Sequence, residues 1–318
     1  MNFQDFKNKY QKKEPEEFPH RVNSQPTLSV LVQTFQQNKY IQKCLDGILN
    51  QQTDFPFEIL LGEDSSTDGT RNICIEYAEK YPEKIRLFLH HPENKIKILG
   101  TTTGNFNAFY NLFSAKGELL AFCEGDDLWR DPFKLQKQVD SLKGRPSIAC
   151  TYHSFLEVNE QLESIPDETR LMQPEQNISE EDLKKLTFHP LLSTLCFRNF
   201  FREQIPEEMI EVINVDSFLL SLLGNYGEAA FIESIIPSFY RRHEGGVWSG
   251  SIKELKLKSK ILTCKRLKQF YYTKGEYEMS KFYHLRIKNN YKALMYFYLK
   301  NRNASKFLRT LFYHEYSS

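Results

Sequence analysis

Short apolar runs alternate with longer segments of helical periodicity in the first half of the chain. The runs have the length of buried strands and are bounded by turn-forming residues: LSVLVQ (28–33), FEILL (57–61), IRLFL (85–89), ELLAFC (118–123) and SIACTY (147–152). Apolar residues recur at helical spacing in the segments between them, which are 38–52, 68–81, 103–114 and 132–142. This alternation predicts an α/β fold with a mostly parallel sheet covered by helices on both faces.

The pattern changes at residue 253, where long helical stretches rich in Lys, Tyr and Phe begin. From there onward the chain carries 16 Lys and Arg against 4 Asp and Glu, whereas the part before it carries 26 basic and 37 acidic residues. GGVWSG (245–250) supplies turn-forming residues at the change. We therefore divide the chain into an N-terminal extension (1–26), an α/β domain (27–250) and a basic, aromatic-rich helical C-terminal region (251–318).

Two interpretations of the C-terminal helices stay open. The favoured one is a helical bundle whose apolar faces pack together and whose lysines are solvated. In the other, basic amphipathic helices interleaved with aromatic residues rest on an anionic membrane, at a gain of about 1 kcal/mol per basic residue near the surface. RNA binding has no supporting motif.

Composition narrows the class of protein. The 318 residues have a formal net charge of +1 with 40% hydrophobic residues, which indicates a folded globular protein and argues against a dedicated nucleic-acid coat. No apolar run approaches the roughly 18 residues of a membrane span. The first twenty residues are charged and lack the apolar core of a secretory signal, so we expect a cytoplasmic protein. The six cysteines are widely spaced without a CxxC pair, which favours buried thiols over a zinc site or disulfides.

An acidic, hydroxyl-rich turn, GEDSSTDGT (62–70), follows the second predicted strand. Ligands of parallel sheets bind at the carboxyl ends of the strands, where the Asp64 carboxylate can accept from a base N–H or a ribose hydroxyl. The alternative is helix capping by Ser66, Thr67 or Asp68. Both interpretations hold together if Asp68 caps the helix and Asp64 binds a ligand.

A second acidic turn, CEGDDLWRDP (123–132), ends the fourth predicted strand. Glu124, Asp126 and Asp127 repel one another unless a cation is present. A hard divalent ion held by one or two carboxylates and by substrate phosphates would relieve the repulsion. The alternative is a solvated turn in which Asp131 and the following proline start a helix. Because two acidic turns are predicted at the same edge of the sheet, we favour a ligand site.

Two later motifs are ambiguous when taken alone. NVDSFLLSLL (214–223) opens a helix with Asp216, which is also an ordinary capping position. SFYRRHEGGVWSG (238–250) combines Arg241 and Arg242 with His243. Arginine forks suit phosphate oxygens and a neutral imidazole suits a metal, although a basic surface loop would have the same composition.

The order of these motifs resembles the inverting family 2 glycosyltransferases, which have the GT-A fold, and the resemblance covers about residues 27–250. LSVLVQTF resembles the family's first strand, which usually continues Pro-Thr-Tyr/Phe-Asn, although Gln33 and Gln36 replace the Pro and Asn. FEILLGEDSSTDGT resembles the next strand and its Asp-Asp-Gly-Ser-Thr-Asp turn, with a Glu in the first acidic place. The resemblance implies that Thr34, Phe35 and Asp64 bind the nucleotide.

CEGDDLWRDP resembles the family's DXD metal motif in a variant that begins with Glu124. The resemblance implies that Glu124, Gly125 and Asp126 contact the nucleotide and that Asp126 ligates Mn²⁺ or Mg²⁺. Asn105, in the GNF segment, matches a family asparagine near the nucleotide. YRRHEGGVWSG resembles the loop whose Arg and His approach the diphosphate, which assigns Arg241 to the nucleotide. His243 then becomes a second metal ligand.

VDSFLL resembles the stretch that carries the family's catalytic base, which falls on Asp216. The implied reaction moves a sugar from a nucleoside diphosphate sugar, with UDP favoured, to a hydroxyl of a glycan or lipid-linked acceptor. The anomeric carbon inverts, and the setting is bacterial cell-surface polysaccharide or lipopolysaccharide biosynthesis. HPLLSTLCFRN (189–199) resembles a stretch near the acceptor, which makes His189, Ser193 and Thr194 candidates. A buried strand with incidental hydroxyls is an equal alternative, and residues 153–180 resemble a polar excursion that could cover the donor.

Two rival hypotheses come from other classes. One is a non-catalytic nucleotide-sugar-binding module on a degenerate GT-A domain, which Gln33, Gln36 and Glu124 would suit. The other is a nucleotidyltransferase, but the glycine-rich basic loop of that class is absent from TFQQNK. The joint presence of the four matched site residues favours the enzyme: Asp64, Asp126, Asp216 and His243.

Overall fold

The computed structural model describes residues 1–165, 174–243 and 252–315, with side chains up to residue 311. Within these ranges the strands are β1 (Glu16–Glu17), β2 (Leu28–Thr34), β3 (Phe57–Glu63), β4 (Ile85–Leu89), β5 (Lys97–Ile98), β6 (Thr101–Thr102), β7 (Leu119–Phe122), β8 (Ile148–Tyr152), β9 (Phe155–Val158), β10 (Cys196–Arg198), β11 (Glu228–Phe231) and β12 (Ser238–Arg241). The five predicted strands correspond to β2, β3, β4, β7 and β8.

The α-helices in the same ranges are α1 (Phe3–Tyr10), α2 (Ile41–Leu49), α3 (Thr70–Lys80), α4 (Asn105–Ser114), α5 (Lys134–Leu142), α6 (Glu180–Lys185), α7 (Glu207–Ile210), α8 (Val215–Leu223), α9 (Lys253–Thr273), α10 (Tyr277–Lys300) and α11 (Ala304–Glu315). The four helices predicted before residue 150 correspond to α2, α3, α4 and α5, each shorter than predicted. The change to a purely helical pattern after residue 253 is confirmed.

Eight of these strands form one sheet in the order β1-β4-β3-β2-β7-β10-β8-β11. β1 and β10 run antiparallel to their neighbours, and the other strands of the sheet are parallel to one another. The predicted mostly parallel sheet is therefore confirmed. Because β2, β3 and β7 are adjacent and parallel, the loops that follow them meet at the same edge of the sheet.

Helices cover both faces of the sheet. Along β2, Leu31 packs into a core shared with α4 and α8, whereas Val30 and Val32 pack into a second core shared with α2, α3 and α5. Alternate residues of a strand point to opposite faces. A strand buried on both faces must be apolar throughout, which is why the predicted strands read as continuous apolar runs.

The C-terminal helices pack onto this domain. Along α10, residues of one face are buried in the same core as α4 and α8: Tyr283, Ile287, Tyr291, Leu294 and Tyr298. The hydroxyls of Tyr271 and Tyr283 lie 2.9 and 3.0 Å from Oγ of Ser221 in α8. The predicted packing of the apolar faces of these helices is therefore confirmed. Membrane contact of their outward faces and the domain division near residue 250 stay predictions.

The N-terminal extension is also part of the packed structure. Phe6 of α1 is fully buried against Phe106 and Phe113 of α4, and β1 pairs with the outer side of β4. No helix in the described ranges is long and apolar enough to span a membrane. The six cysteines are buried and form no disulfide. GGVWSG and much of the predicted donor cover, 166–173, lie outside the described residues.

Candidate functional site at the carboxyl edge of the sheet

Backbone hydrogen bonds bring three loops together at the carboxyl ends of β2, β3 and β7. Asp64 N–H donates to Thr34 O at 3.0 Å, and Gly125 N–H donates to Gln33 O at 3.1 Å. The turns that the sequence singled out after separate strands are therefore contiguous in space.

Gln36 joins the first two loops, although it departs from the family pattern. Its backbone is left-handed, with φ of 55°, and its side-chain Oε1 accepts from the N–H groups of Thr67 and Asp68 at 2.9 and 3.2 Å. The Asp68 side chain accepts from the N–H of Thr70, the first residue of α3, at 3.0 Å, as the capping interpretation predicted, although the N-cap position itself is Gly69. The glutamine at residue 36 therefore joins the loop after β2 to the turn after β3.

Glu63, the other departure in this region, serves the turn. Its carboxylate accepts from Ser66 N–H and from Arg71 Nε, both at 2.6 Å, and it is completely buried. Glu63 therefore braces the turn, whereas the side chain of the neighbouring Asp64 pairs with Lys95.

Asp64, Phe35 and Lys95 form a compact group beside β2 and β3. Burial raises the pKa of Asp64 to about 6, and the ammonium of Lys95, 3.5 Å from Oδ2, opposes that shift. The Lys95 ammonium also lies 3.4 Å from the centroid of the Phe35 ring, which is 46% exposed. The group offers an aromatic face, a carboxylate and a cation. Lys95 lies in a polar loop outside any motif, which is why nothing in the sequence pointed to it.

The loop after β7, which carries Glu124 and Asp126, meets residues of β12 that lie more than 100 positions later in the chain. Leu128 and Phe239 exchange backbone hydrogen bonds of 3.1 and 2.9 Å, and β12 pairs in parallel with β9. This arrangement places His243 Nε2 2.8 Å from Asp126 Oδ2. The two residues assigned to a metal by resemblance are thus in direct contact. Within the described part of the chain, no cluster of three or more His, Cys, Asp or Glu has metal-binding geometry.

Acidic groups crowd the region where the loop after β7 meets the ends of β2 and β12, which we call the recess. Asp127 is 2% exposed, and burial followed by the charge of Asp126 raises its pKa to about 8. Glu124 is exposed to solvent. The protein around it, and then the charges of Asp126, Asp127 and Asp216, raise the pKa of its carboxyl. The charge of Asp216 also raises the pKa of Glu124, so these carboxylates, although distant in sequence, lie close enough in space to interact.

Arg241 lies beside this acidic group with an incomplete set of partners. It is 4% exposed, and its Nε and Nη1 have no hydrogen-bond partner among the residues that the structure describes. Its guanidinium carbon lies 4.4 Å from the centroid of the Tyr40 ring, and the His243 ring lies 4.9 Å from the same ring. Tyr40 therefore orients both groups, a contact that the sequence alone did not suggest.

The floor of the recess is closed and polar. Thr34 is 2% exposed, and its Oγ1 has no partner within the described ranges. A Cβ at Gly125 would lie 2.4 Å from Gln37 Oε1 and 3.0 Å from Thr34 Oγ1. A larger residue would have to displace the Gln37 side chain and press on Thr34, so the loop after β7 approaches β2 closely at Gly125.

Asp216 begins α8 with its side chain 38% exposed. Its Oδ1 accepts from Ser217 N–H at 2.7 Å, and its Oδ2 lies 3.6 Å from Nε2 of His189. The structure therefore brings the assigned base next to a residue from the acceptor-side stretch. By contrast, Thr194 is buried and donates its hydroxyl to Leu191 O at 2.7 Å.

Asn105 braces the segment that precedes Asp216. Its Nδ2 donates to the carbonyls of Ile210 and Val212, both at 2.8 Å, and it is 5% exposed. Its amide hydrogens are thus committed to the protein, while its assignment to the nucleotide stays a prediction.

Comparison with known proteins decides the family. The family model described as Glycosyl transferase family 2 matches residues 29–204, more than half of the chain. The chain belongs to the family 2 glycosyltransferases. The family segment contains β2 to β10 and the acidic turns after β3 and β7, whereas Asp216, Arg241 and His243 lie beyond it.

Relatives of this family 2 chain include proteins of several bacteria. An uncharacterised protein of Mycobacterium bovis is 32% identical over 238 residues, which cover 70% of this chain and 60% of that protein. The chain thus spans less than two thirds of that relative. TuaG of Bacillus subtilis, whose name refers to a teichuronic acid biosynthesis glycosyltransferase, is 32% identical over 124 residues, covering 39% of this chain and 45% of TuaG.

A solved structure has a similar fold. Residues 1–349 of S. aureus TarS, in complex with UDP-GlcNAc, superpose with a TM-score of 0.50 at 16% identity, covering 89% of this chain and 90% of that chain. At this identity the match concerns the fold alone. The predicted GT-A fold is confirmed.

Proposed function

We propose that the protein is a metal-dependent, inverting glycosyltransferase that moves a sugar from a UDP-sugar to a hydroxyl of a glycan or lipid-linked acceptor. The observation that carries the proposal is the buried Arg241, whose Nε and Nη1 lack partners among the described residues beside the Asp126–His243 pair. A buried guanidinium without acceptors is costly. A diphosphate would supply those acceptors through charge-assisted hydrogen bonds.

The nucleoside end of the donor fits the group formed by Asp64, Phe35 and Lys95. The exposed Phe35 ring offers a stacking surface for a base, and the Asp64 carboxylate can accept from a base N–H. UDP is the first nucleotide to test because uracil carries such an N–H and because the TarS structure was solved with UDP-GlcNAc.

The side chains of Asp126 and His243 are of the kinds that bind divalent metal ions. Asp126 and His243 would hold Mn²⁺ or Mg²⁺ through a carboxylate oxygen and an imidazole nitrogen, with donor phosphates completing the set. Such an ion, when bound, offsets the negative charge that grows on the leaving diphosphate.

Asp216 would act as the general base in a single displacement. Its carboxylate takes the proton of the acceptor hydroxyl as that oxygen bonds to the anomeric carbon, and the bond to the diphosphate oxygen breaks on the opposite face. Arg241 would bind the departing diphosphate. Asn105 fixes the backbone before α8 and thereby the position of Asp216.

A nucleotide screen tests the proposal. We expect one of UDP, GDP, CDP and dTDP to raise the melting temperature in the presence of Mn²⁺. Arg241→Met keeps much of the length of the side chain and removes its charge. It should lower the affinity for that nucleotide by about tenfold or more. Arg145→Met, at an exposed position in the turn after α5, is the matched control.

The outcomes separate the alternatives. No stabilisation by any of the four nucleotides would refute the donor site. Nucleotide binding without sugar transfer or donor hydrolysis would instead favour the non-catalytic binding module.

The acceptor is proposed to belong to cell-surface polysaccharide biosynthesis, as the name of TuaG suggests. The outward face of α10 suits peripheral contact with the membrane where lipid-linked acceptors reside. Leu285, Tyr296 and Leu299 are 54%, 69% and 57% exposed there. They are interleaved along the helix with four lysines: Lys281, Lys288, Lys292 and Lys300.

Vesicle flotation tests the membrane contact. We expect the protein to float with phosphatidylcholine vesicles that contain phosphatidylglycerol, and Tyr296→Ser to reduce the bound fraction severalfold because an interfacial aromatic is lost. Tyr272→Ser, at a 60% exposed position near the end of α9, is the control. Equal partition of Tyr296→Ser and parent would exclude this face as the contact.

A further inference from the structure

The N-terminal segment, residues 1–17, lies before the part of the chain that matches the family model and is anchored next to the donor recess. The rings of Phe6 and Phe106 stack with centroids 5.3 Å apart, and those of Phe3 and Phe113 do the same at 5.3 Å. Stacked aromatic pairs of this kind stabilise packing beyond the effect of the area they bury. The segment is therefore fixed to α4 before it reaches the recess.

After α1 the segment is clamped by a single buried side chain. Asn94 is 1% exposed, and its Oδ1 accepts from the N–H groups of Lys12 and Lys13 at 2.8 and 2.9 Å. Its Nδ2 donates to Lys13 O at 2.8 Å. Both the oxygen and the nitrogen of the Asn94 side-chain amide are thus hydrogen-bonded to the N-terminal segment.

The residue after Asn94 is the cation of the proposed donor site. Lys95 contacts Asp64 and the Phe35 ring at 3.5 and 3.4 Å. A cavity of about 440 Å³ borders this position, with Lys12 from the N-terminal segment and Lys95 and Lys97 from the loop in its wall. One continuous set of contacts therefore runs from α4 through the N-terminal segment and Asn94 to Lys95.

We propose that Asn94, which is bonded to the N-terminal segment, is a positioning residue: it sets Lys95 against Asp64 and Phe35 and so determines affinity for the nucleoside. This inference rests on the proposed function. Lysine has a flexible four-carbon stem, and fixing it in one position costs side-chain entropy. A clamped backbone at residue 94 limits the positions open to Lys95 before the donor arrives, which is preorganisation.

A double-mutant cycle tests whether Asn94 acts through Lys95. Affinity for UDP, or for the nucleotide selected by the screen, is measured calorimetrically for the parent, Asn94→Ala, Lys95→Met and the double variant. We expect losses of about fivefold for Asn94→Ala and about tenfold for Lys95→Met, with the double variant no weaker than Lys95→Met.

Asn199→Ala provides the matched control. Its side chain also bonds backbone on both sides, donating to Gly117 O at 3.0 Å and accepting from Phe201 N–H at 3.2 Å, but at the opposite end of β7. It should lower stability and leave nucleotide affinity unchanged. If Asn94→Ala does not fold, Asn94→Asp keeps an acceptor for Lys12 and loses only the donated bond, with an intermediate affinity expected.

Two results would overturn the inference. Unchanged nucleotide affinity in Asn94→Ala would make the clamp merely structural. If Asn94→Ala lowers affinity equally in the parent and in Lys95→Met, Asn94 does not act through Lys95. If the parent binds no nucleotide, the donor site itself fails. Hydrogen exchange of the backbone amides then tests the clamp without nucleotide. If the clamp holds Lys95, Asn94→Ala must speed exchange at residues 95–98 as well as at 12–13.

Discussion

Asp216→Asn is expected to lower sugar transfer by about 10²–10⁴-fold while leaving nucleotide affinity unchanged. The amide keeps the shape of the carboxylate but cannot take the acceptor proton. The position supports the expectation, because Asp216 is partly exposed in the recess that also holds Glu124, and Asn105 fixes the backbone before it. The measurement is the initial rate of nucleoside diphosphate release with the donor found by the screen.

Asp140→Asn is the control for this prediction because Asp140 is exposed on α5 and interacts with Gln136 and Lys143. It should turn over like the parent. If Asp216→Asn also does so, the base is another residue. A loss of nucleotide affinity in Asp216→Asn would instead place residue 216 in the donor site.

Asp126→Ala is expected to remove the Mn²⁺-dependent part of nucleotide binding. The carboxylate that contacts His243 would be lost, and the imidazole would remain as the single donor of the proposed pair. With nucleotide at 100 times the dissociation constant, binding stabilises a protein by about 2.7 kcal/mol. We expect most of that stabilisation to vanish in thermal-shift titrations with Mn²⁺.

Measurements in EDTA provide the comparison for Asp126→Ala. Any residual, metal-independent affinity should be equal in parent and variant, since Arg241, Thr34 and Asp64 are untouched. A variant whose response to Mn²⁺ equals that of the parent would move the metal away from Asp126. His243→Ala should weaken the Mn²⁺ response as well if both residues hold the ion.

The parallel sheet and its helices followed from the sequence because strands buried on both faces must be continuously apolar. β4 was predicted at its observed bounds, and β2 and β3 extend beyond the predicted runs by one and two residues. Helix ends were less certain. The predicted helix 38–52 begins at Ile41 because Tyr40 and Ile41 both donate to Gln37 O, which closes a turn ahead of α2.

The departures from the family pattern could be found in the sequence, but their consequences could not. Gln36 suited a degenerate site when read alone, and the Glu at residue 63 departed from the usual Asp. In three dimensions Gln36 binds the turn after β3, and Glu63 binds Arg71 and the N–H of Ser66. These contacts depend on loops from different strands, so they follow from strand order rather than from local sequence.

The sequence by itself determined the α/β architecture, the acidic turns at the strand ends and the family, since each depends on periodicity or on residues close together in the chain. Only the tertiary structure decided that His243 contacts Asp126, that Tyr40 orients Arg241 and that Asn94 clamps the N-terminal segment beside Lys95. These contacts join residues far apart in sequence. Their formation depends on strand pairing and on the burial of polar groups, which a local pattern does not encode.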